Sequence, residues 1–599
     1  MTWGAKEERL RTAREAAYAL VLAALMALLV IQLFSLQVSG HRRYLAKSFG
    51  NKIQAIPLLA PRGEIYDRAG RPLAVNRVAY ALNYFPPEGD PAEDEALKYI
   101  ARWLGTDFTV LAESVARQKA VLYAYQPVTI ASRMTLAQVA YVEENRHLFP
   151  GCFVETNNFV RYYPLGAAAT HLVGYTALIA EDELEAKKAA GYLANEFVGK
   201  TGVEHQFESI LRGGLGSRYI EVDRNRFFKR IVVERPPVQG QDLYLTIDAR
   251  LQQAAYDALD GRRGAVIIME PKSGEVLALV SSPSFDANRF READGADYLS
   301  HVADDNRFPM LNRAVSNGYA PGSVVKHITM VGALETGKVS AGSTFYCPGY
   351  LDVGIRKFYC WQREGHGTVG MVDALGKSCD VAYYTMGLKL GEDSLRHFYE
   401  EFGLGRPTGI ELPTEARGLV PSREWKRKHY AGERYNEVDR MWYDGDTANL
   451  AIGQGYLLAT PLQVLNAVNI IVNGGEVVRP TLLKGVERAG KVEAPRRDPP
   501  AYLNIDSATI ELVKRGLRRS ALPGGTAEIL AGLKVSVAGK TGTAETWGGE
   551  PHSWFAGYFP ASDPRVSLVV FFENGGSSHD TAVPAAKQLI ARVAEILDL

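Results

Sequence analysis

A chain of 599 residues is long enough for several domains, each with a full core. Its 68 basic and 68 acidic residues cancel, so the electrostatic footprint of a nucleic-acid binder is missing. Four cysteines (Cys152, Cys347, Cys360 and Cys379) are too few for a disulfide-built scaffold.

Taken in chain order, the first element is apolar. From Ala16 to Ile31 there is no charged or strongly polar residue, and the apolar character continues through Gln32 and Gln37 to Val38. As a helix, residues 16–38 reach about 34 Å, enough to cross a bilayer. A cleaved signal peptide ending at Val38-Ser39-Gly40 is the alternative, against which the length of the stretch counts. Lys6, Arg9, Arg11 and Arg14 precede the segment while Arg42, Arg43 and Lys47 follow it, a slight bias toward a cytoplasmic N-terminus. The expected layout is a cytoplasmic tail (1–15), a transmembrane helix (16–38) and a large remainder on one side, with no second span.

Residues 61–71 are dense in turn formers and charge, with Arg68-Ala69-Gly70-Arg71 as the turn of a strand–turn–strand. Helical patterns follow, one from an Asp90-Pro91 cap to Leu104 and another over Thr135–Asn145. No nucleophile–base pair occurs up to residue 235, so 41–235 reads as an α+β module without chemistry of its own. Pro236-Pro237-Val238-Gln239-Gly240-Gln241 reads as a linker to a second domain, 242–599. That domain opens with a strand at Leu243–Ile247 and a helix from about Ala249. Gly264–Glu270 and Glu275–Ser281 form a hairpin around Pro271-Lys272-Ser273-Gly274. Strand patterns return at 533–538, 554–559 and 566–572, followed by a helix over 581–597. Strands from both ends enclosing a helical 305–525 region predict an α+β fold, one antiparallel sheet with helices on its faces.

Within that region, Pro321-Gly322 turns the chain into an apolar helix carrying Ser323 and, one turn on, Lys326. A serine hydroxyl is a weak nucleophile until a base takes its proton, and a desolvated lysine can be that base. The helix start also offers free backbone N–H groups to an oxyanion. A surface serine beside a solvated lysine is the bland alternative, but this is the only Ser-x-x-Lys in the chain. Ser378-Cys379-Asp380 precedes an apolar-aromatic run, where a plain helix cap is the competing reading. Lys540-Thr541-Gly542-Thr543 ends the 533–538 strand. It is not a nucleotide loop, because Lys534 stands where a P-loop needs glycine.

Thr344-Phe345-Tyr346-Cys347 and Lys357-Phe358-Tyr359-Cys360 are similar runs whose pairing as a hairpin would bring two sulfurs together. Three readings stay open: free thiols, a Cys347–Cys360 disulfide, or zinc held by Cys347, Cys360, His366 and Cys379 or Asp352.

Ser-x-x-Lys, Ser-x-Asp and Lys-Thr-Gly, in that order, resemble the signature of penicillin-recognising acyl-serine transferases. Residues 61–70, Arg161-Tyr162-Tyr163-Pro164 and Gly202-Val203-Glu204 resemble the non-catalytic module of class B penicillin-binding proteins. Asn312-Arg313-Ala314, residues 403–410, Asn449–Gly455 and Thr460-Pro461-Leu462-Gln463 resemble their transpeptidase domain. Asp380, and the end of the chain just after a C-terminal helix, are similar to the elongation-type branch, with the division type as alternative. The resemblance implies a membrane-anchored, extracytoplasmic peptidoglycan D,D-transpeptidase, inhibited by β-lactams. Ser323, Lys326, Ser378 and Lys540 would be catalytic, and Asp380, Thr541, Gly542 and Thr543 would bind substrate. Backbone N–H groups of Ser323 and Thr543 would form the oxyanion hole. An aspartate cannot donate to a substrate carbonyl as an amide can, so orienting Lys326 or a loop is an equal role for Asp380. The implied partners are stem peptides on lipid-linked nascent glycan and a SEDS-family glycosyltransferase of RodA type with other elongation-complex membrane proteins. No cofactor is required, zinc being the one candidate. A soluble β-lactamase or carboxypeptidase, a β-lactam sensor and a catalytically dead scaffold are the other readings. The anchor and module argue against the first, the short N-terminal tail against the second, and the intact motifs against the third.

Overall fold

The computed structural model describes residues 4–41, 52–85, 94–122, 127–222, 228–292, 295–497, 499–546 and 548–599. The chain enters as one helix, Gly4–Phe34, with a widened final turn at Ser35–Ser39. It is long and apolar enough to cross a membrane, and none of its apolar window is buried. Arg42, Arg43, Lys47 and the Asp90-Pro91 cap fall outside the described residues. The helix expected from that cap runs over Glu95–Leu104 and is capped by Asp94, whose side chain accepts from Leu97 N–H. Thr135 and Gln138 close a reciprocal capping box on Leu136–Glu144, as the sequence pattern predicts.

The described chain packs as two compact units: residues 1–60, 78–158 and 214–238, and residues 61–77, 159–213 and 239–599. A single cut at 236–241 therefore does not separate them. In the first unit, Ile53–Leu58, Gly216–Val222 and Phe228–Arg235 form an antiparallel three-stranded sheet. A separate core there gathers Leu82, Leu97, Ile100, Val115, Val128 and Phe149.

In the second unit the module motifs converge on one carboxylate. Glu204 is fully buried, with Arg62 Nε and Arg161 Nε each donating to it at 2.6 Å. Arg62 also pairs with Glu208 at 2.7 Å. Burial pushes the Glu204 carboxyl up, and Arg161 and Arg62 more than reverse this, so it titrates below its ordinary value. The stabilisation is present above the unfolded value, near about 4.3, and is lost as pH falls through the lowered folded value. Glu204→Gln is expected to destabilise the unit by about 3–5 kcal/mol, because Arg161 is left buried and uncompensated. Urea melts at pH 7 and pH 3 check this: the wild-type advantage should shrink in acid, and a pH-independent difference would contradict it.

Leu243–Leu245 pairs in parallel with Ile65–Tyr66 and antiparallel with Leu483–Arg488, so it stands beside the 61–71 motif and apart from the catalytic sheet. That sheet is five-stranded and antiparallel, ordered Val276–Ser282, Gly264–Met269, Val566–Phe572, His552–Phe559, Ala538–Ala544. Alternation sorts its side chains. Val266, Ile268, Leu568 and Val570 join one core with Leu251, Leu259, Leu589 and Ile590 of helices Ala249–Leu259 and Ala582–Leu597. Ala265, Ile267, Met269, Val569 and Phe571 face the other core, with the wholly buried helix Pro461–Val472. Both faces are thus covered, which is why the strands read as continuous apolar runs.

Two expectations are corrected. Leu533–Val537 is not a strand; Val535 and Val537 are buried in a bent, irregular lead-in, and the ladder forms over Ala538–Ala544, opposite His552–Phe559. Lys540-Thr541-Gly542 therefore lies inside the edge strand. The Thr344–Cys347 run pairs with Gly367–Gly370, and Arg356–Tyr359 pairs with Tyr350–Val353. Each cysteine run has its own partner because Pro348-Gly349 and Gly354 each turn the chain before the two runs can meet.

Candidate active site

Ser323 lies in a tight turn, Gly322–Val325, that runs straight into helix Lys326–Glu335. In such a 3₁₀ turn residues three apart eclipse, which sets Ser323 and Lys326 on one face. The turn is clamped. Gly322 N–H donates to Gly453 O at 2.8 Å, Tyr319 and Ala459 exchange backbone bonds at 2.9 Å, and Trp554 Nε1 donates to Ala320 O at 3.1 Å. Gly322 has φ 58°, and a β-carbon on it would lie 3.1 Å from Ala544 Cβ and 3.3 Å from Thr543 O. A β-carbon on Gly542 would lie 3.0 Å from Pro321 O and 3.0 Å from Val324 Cγ1. Glycine at both positions lets the edge strand press against the serine turn. Thr543 O faces that turn, and in an extended strand its own N–H points the same way. Ser323 is half-buried while its neighbours Gly322, Val324 and Val325 are buried.

Lys326 is fully buried, and its three N–H donors meet three acceptors: Ser378 O at 3.1 Å, Ser378 Oγ at 3.2 Å and Asp380 Oδ1 at 2.6 Å. Its ammonium also lies 5.1 Å from the Tyr383 ring centre. Ser378 has φ 56°, an uncommon conformation for a residue with a β-carbon. Neither Ser378 nor Asp380 caps helix Asp380–Leu390 with its side chain. The capping alternative is thereby set aside, and both side chains are turned toward Lys326. The second Asp380 oxygen accepts from Trp361 N–H at 2.9 Å. One Asp380 oxygen thus meets the lysine and the other the 361 loop, and the Trp361 contact is one that no local sequence signal announces.

Lys540 is fully buried and donates to Thr541 O at 3.1 Å. Burial, then the charge of Lys326, push its pKa well below the ordinary value, while Asp380 opposes them. Thr541 Oγ1 donates to Thr526 Oγ1 at 2.8 Å, and Thr543 Oγ1 to Ser578 Oγ at 3.1 Å. Ser520 Oγ bonds Gly539 O at 2.5 Å, fixing the strand from behind. Thr526, Ser578 and Ser520 were not singled out from sequence, since isolated hydroxyls carry no spacing signal.

Beside this site lies a second cluster. Cys347, Cys360, Cys379 and His366 place one ligand atom each within 4.8 Å of all the others. His366 Nδ1 lies 3.5 Å from Cys360 Sγ and 3.7 Å from Cys347 Sγ. No disulfide joins these cysteines among the described residues. Cys379, then His366, hold the Cys360 thiol below its ordinary range against burial, and Cys379 is raised by Cys360 and by burial. Asp352 pairs with Lys357 at 3.3 Å and is not part of the cluster.

A nucleophile, two lysines and a hydroxyl at a sheet edge define an acyl-serine transferase. The Penicillin binding protein transpeptidase domain family matches residues 264–593, and the Penicillin-binding Protein dimerisation domain family matches 57–245. The chain belongs to the class B penicillin-binding proteins. It is 34% identical to Peptidoglycan D,D-transpeptidase MrdA of Escherichia coli K12, over 92% of this chain and 89% of that protein. A solved complex of penicillin-binding protein PBP2 and MreC from Helicobacter pylori superposes with TM-score 0.78 at 27% identity, covering 91% of this chain and 99% of that one. A chain of a peptidoglycan synthase complex that coordinates polymerisation and crosslinking gives TM-score 0.72 at 32% identity, covering 97% and 98%.

Proposed function

We propose that this protein is a membrane-anchored peptidoglycan D,D-transpeptidase of the elongation type. The carrying observation is the convergence of Ser323, Lys326, Ser378 and Asp380 on the open edge of the Lys540-Thr541-Gly542 strand. Ser323 Oγ attacks the penultimate D-Ala carbonyl of a stem peptide. Lys326, held by Ser378 and Asp380, takes the Ser323 proton as the general base. The N–H groups of Ser323 and Thr543 receive the oxyanion, each such donor contributing about 3–4 kcal/mol in related acyl transfer. Ser378, bridged to Lys326, passes the proton to the departing D-Ala amine. An incoming substrate carboxylate restores the charge on Lys540 that burial disfavours, and Thr541 shares that carboxylate. A second peptide's amine then attacks the acyl-enzyme. Product analysis by mass spectrometry tests the reading: crosslinked dimers are expected, whereas D-Ala release without dimers would make the protein a hydrolase.

The catalytic unit lies outside the cytoplasmic membrane, its helix Gly4–Phe34 anchoring it. The partner is a SEDS-type, RodA-like glycosyltransferase, supported by the likeness to a chain of a peptidoglycan synthase complex. Deleting 61–235 should abolish its co-purification from detergent; equal recovery would count against docking through the module.

The cysteine cluster fits zinc. Zn–S and Zn–N bonds of about 2.3 and 2.05 Å in a tetrahedron put sulfur and nitrogen about 3.5 Å apart, and the two measured separations are 3.5 and 3.7 Å. Cys347, Cys360, Cys379 and His366 would hold the ion, which would supply a rigid crosslink between the 360–361 loop and the start of helix Asp380–Leu390. Zinc stoichiometric with the chain is expected by elemental analysis, and His366→Ala should lose it and lower Tm. Four titratable thiols in denatured, unreduced protein with no metal would leave free thiols, and fewer than four would indicate a disulfide.

A further inference from the structure

We propose that Cys360 and Cys379 are a site of reversible oxidation, and that the disulfide they form shuts down acylation of Ser323. The sulfurs lie within 4.8 Å of one another, and a disulfide needs about 2.05 Å with Cα atoms about 4.4–6.8 Å apart. The chain already runs the two residues side by side. Trp361, next after Cys360, donates its N–H to Asp380, next after Cys379, at 2.9 Å. Closing the S–S bond therefore pulls on a contact that belongs to the catalytic site. Cys379 also sits directly between Ser378 and Asp380, whose oxygens hold Lys326 at 3.1, 3.2 and 2.6 Å.

The three cysteines are buried and His366 beside them is half-buried. Tyr346, Tyr359 and Trp361 flank Cys347 and Cys360 along the chain and are 70%, 51% and 56% exposed. His366 is half-buried and packs edge-on against Trp361 with ring centres 5.4 Å apart. His366 Nδ1 lies 3.5 Å from Cys360 Sγ while its ring is partly exposed, which gives a small oxidant such as hydrogen peroxide a way to the sulfurs. In the reaction two S–H bonds and the peroxide O–O bond break, and one S–S bond forms. The sulfurs together give up two electrons, and the two thiol protons leave with the peroxide oxygens as two waters. Oxidation at Cys360 and Cys379 does not depend on the zinc reading. An ion held by the thiolates protects them, and metal-stripped protein is the sensitive form.

A displacement of about 1 Å at a reacting group costs about 100-fold in rate, so oxidation is expected to slow acylation by about that factor. The test uses the full chain in detergent, metal-stripped and zinc-loaded, treated with hydrogen peroxide and then catalase. Acylation by a fluorescent penicillin is timed, and non-reduced peptides are mapped by mass spectrometry. The expected result is a Cys360–Cys379 crosslink in stripped protein, acylation about 100-fold slower, and full recovery with dithiothreitol. Cys379→Ser should lose the sensitivity, while Cys152→Ser should keep it. An unchanged acylation rate at full disulfide occupancy overturns the proposal, as does a loss of rate that dithiothreitol does not reverse. A stripped wild-type chain that forms no Cys360–Cys379 bond overturns it as well. The timed wild-type reaction decides the matter even where a cysteine variant fails to fold.

Discussion

Ser323→Ala is expected to abolish the covalent penicilloyl adduct and to lower crosslinking turnover by about 10⁵–10⁶-fold, as nucleophile deletions do in serine acyl-transfer enzymes. The reason is local. Ser323 is the residue of the Gly322–Val325 turn left half-exposed, and the buried Lys326 follows it one turn on. Its removal deletes one oxygen from a turn held by backbone bonds at Tyr319 and Gly322 and by the Trp554 indole at Ala320 O. Stability should therefore change by less than about 1 kcal/mol. Peptide mapping of wild-type protein should place the adduct on 321–326. An adduct persisting in the alanine variant, on any residue, would move the nucleophile elsewhere.

Most of this site was legible before any coordinates, for a physical reason. Ser323 and Lys326 sit within one turn, so spacing alone places them together, and the apolar run behind them announces a buried helix. The sheet was equally plain, since alternating Val, Ile, Leu and Phe over 264–282 and 554–572 meet two different cores. What local pattern could not show was long-range pairing. Lys540 was placed at the end of a strand because Leu533, Val535 and Val537 alternate, yet alternation marks burial and not a ladder. The ladder depends on His552–Phe559, which no residue between 533 and 538 encodes. The cysteine runs failed similarly. Two look-alike segments invited pairing with each other, and the glycines between them instead give each its own partner. Their sulfurs still converge, through interlocked hairpins. Asp380 carried two open readings in the sequence, binding substrate or orienting Lys326 or a loop, and its two oxygens contact Lys326 and the 361 loop.

Lys326→Met is expected to lower the rate of Ser323 acylation by about 10²–10⁴-fold, the usual contribution of a positioned general base. Methionine fills nearly the same volume in the fully buried channel but accepts no proton. The single variant has a second effect, because it leaves the Asp380 carboxylate facing an apolar sulfur. Breaking a buried ion pair costs about 3–5 kcal/mol, so lost activity alone would not separate catalysis from misfolding. Lys326→Met combined with Asp380→Asn removes the orphaned charge, while the asparagine oxygen still accepts from Trp361 N–H. Thermal melts should show most of the lost stability restored in the double variant. Acylation should stay as slow as in Lys326→Met, since neither residue then takes the serine proton. Asp380→Asn alone keeps the lysine and loses one of the two oxygen contacts, so its acylation should fall by only about tenfold. Recovery of acylation in the double variant would show that Lys326 acts through its charge on Asp380 and not on Ser323. The proton would then have to pass to Lys540, the other buried amine at this edge, whose pKa burial and Lys326 already push down.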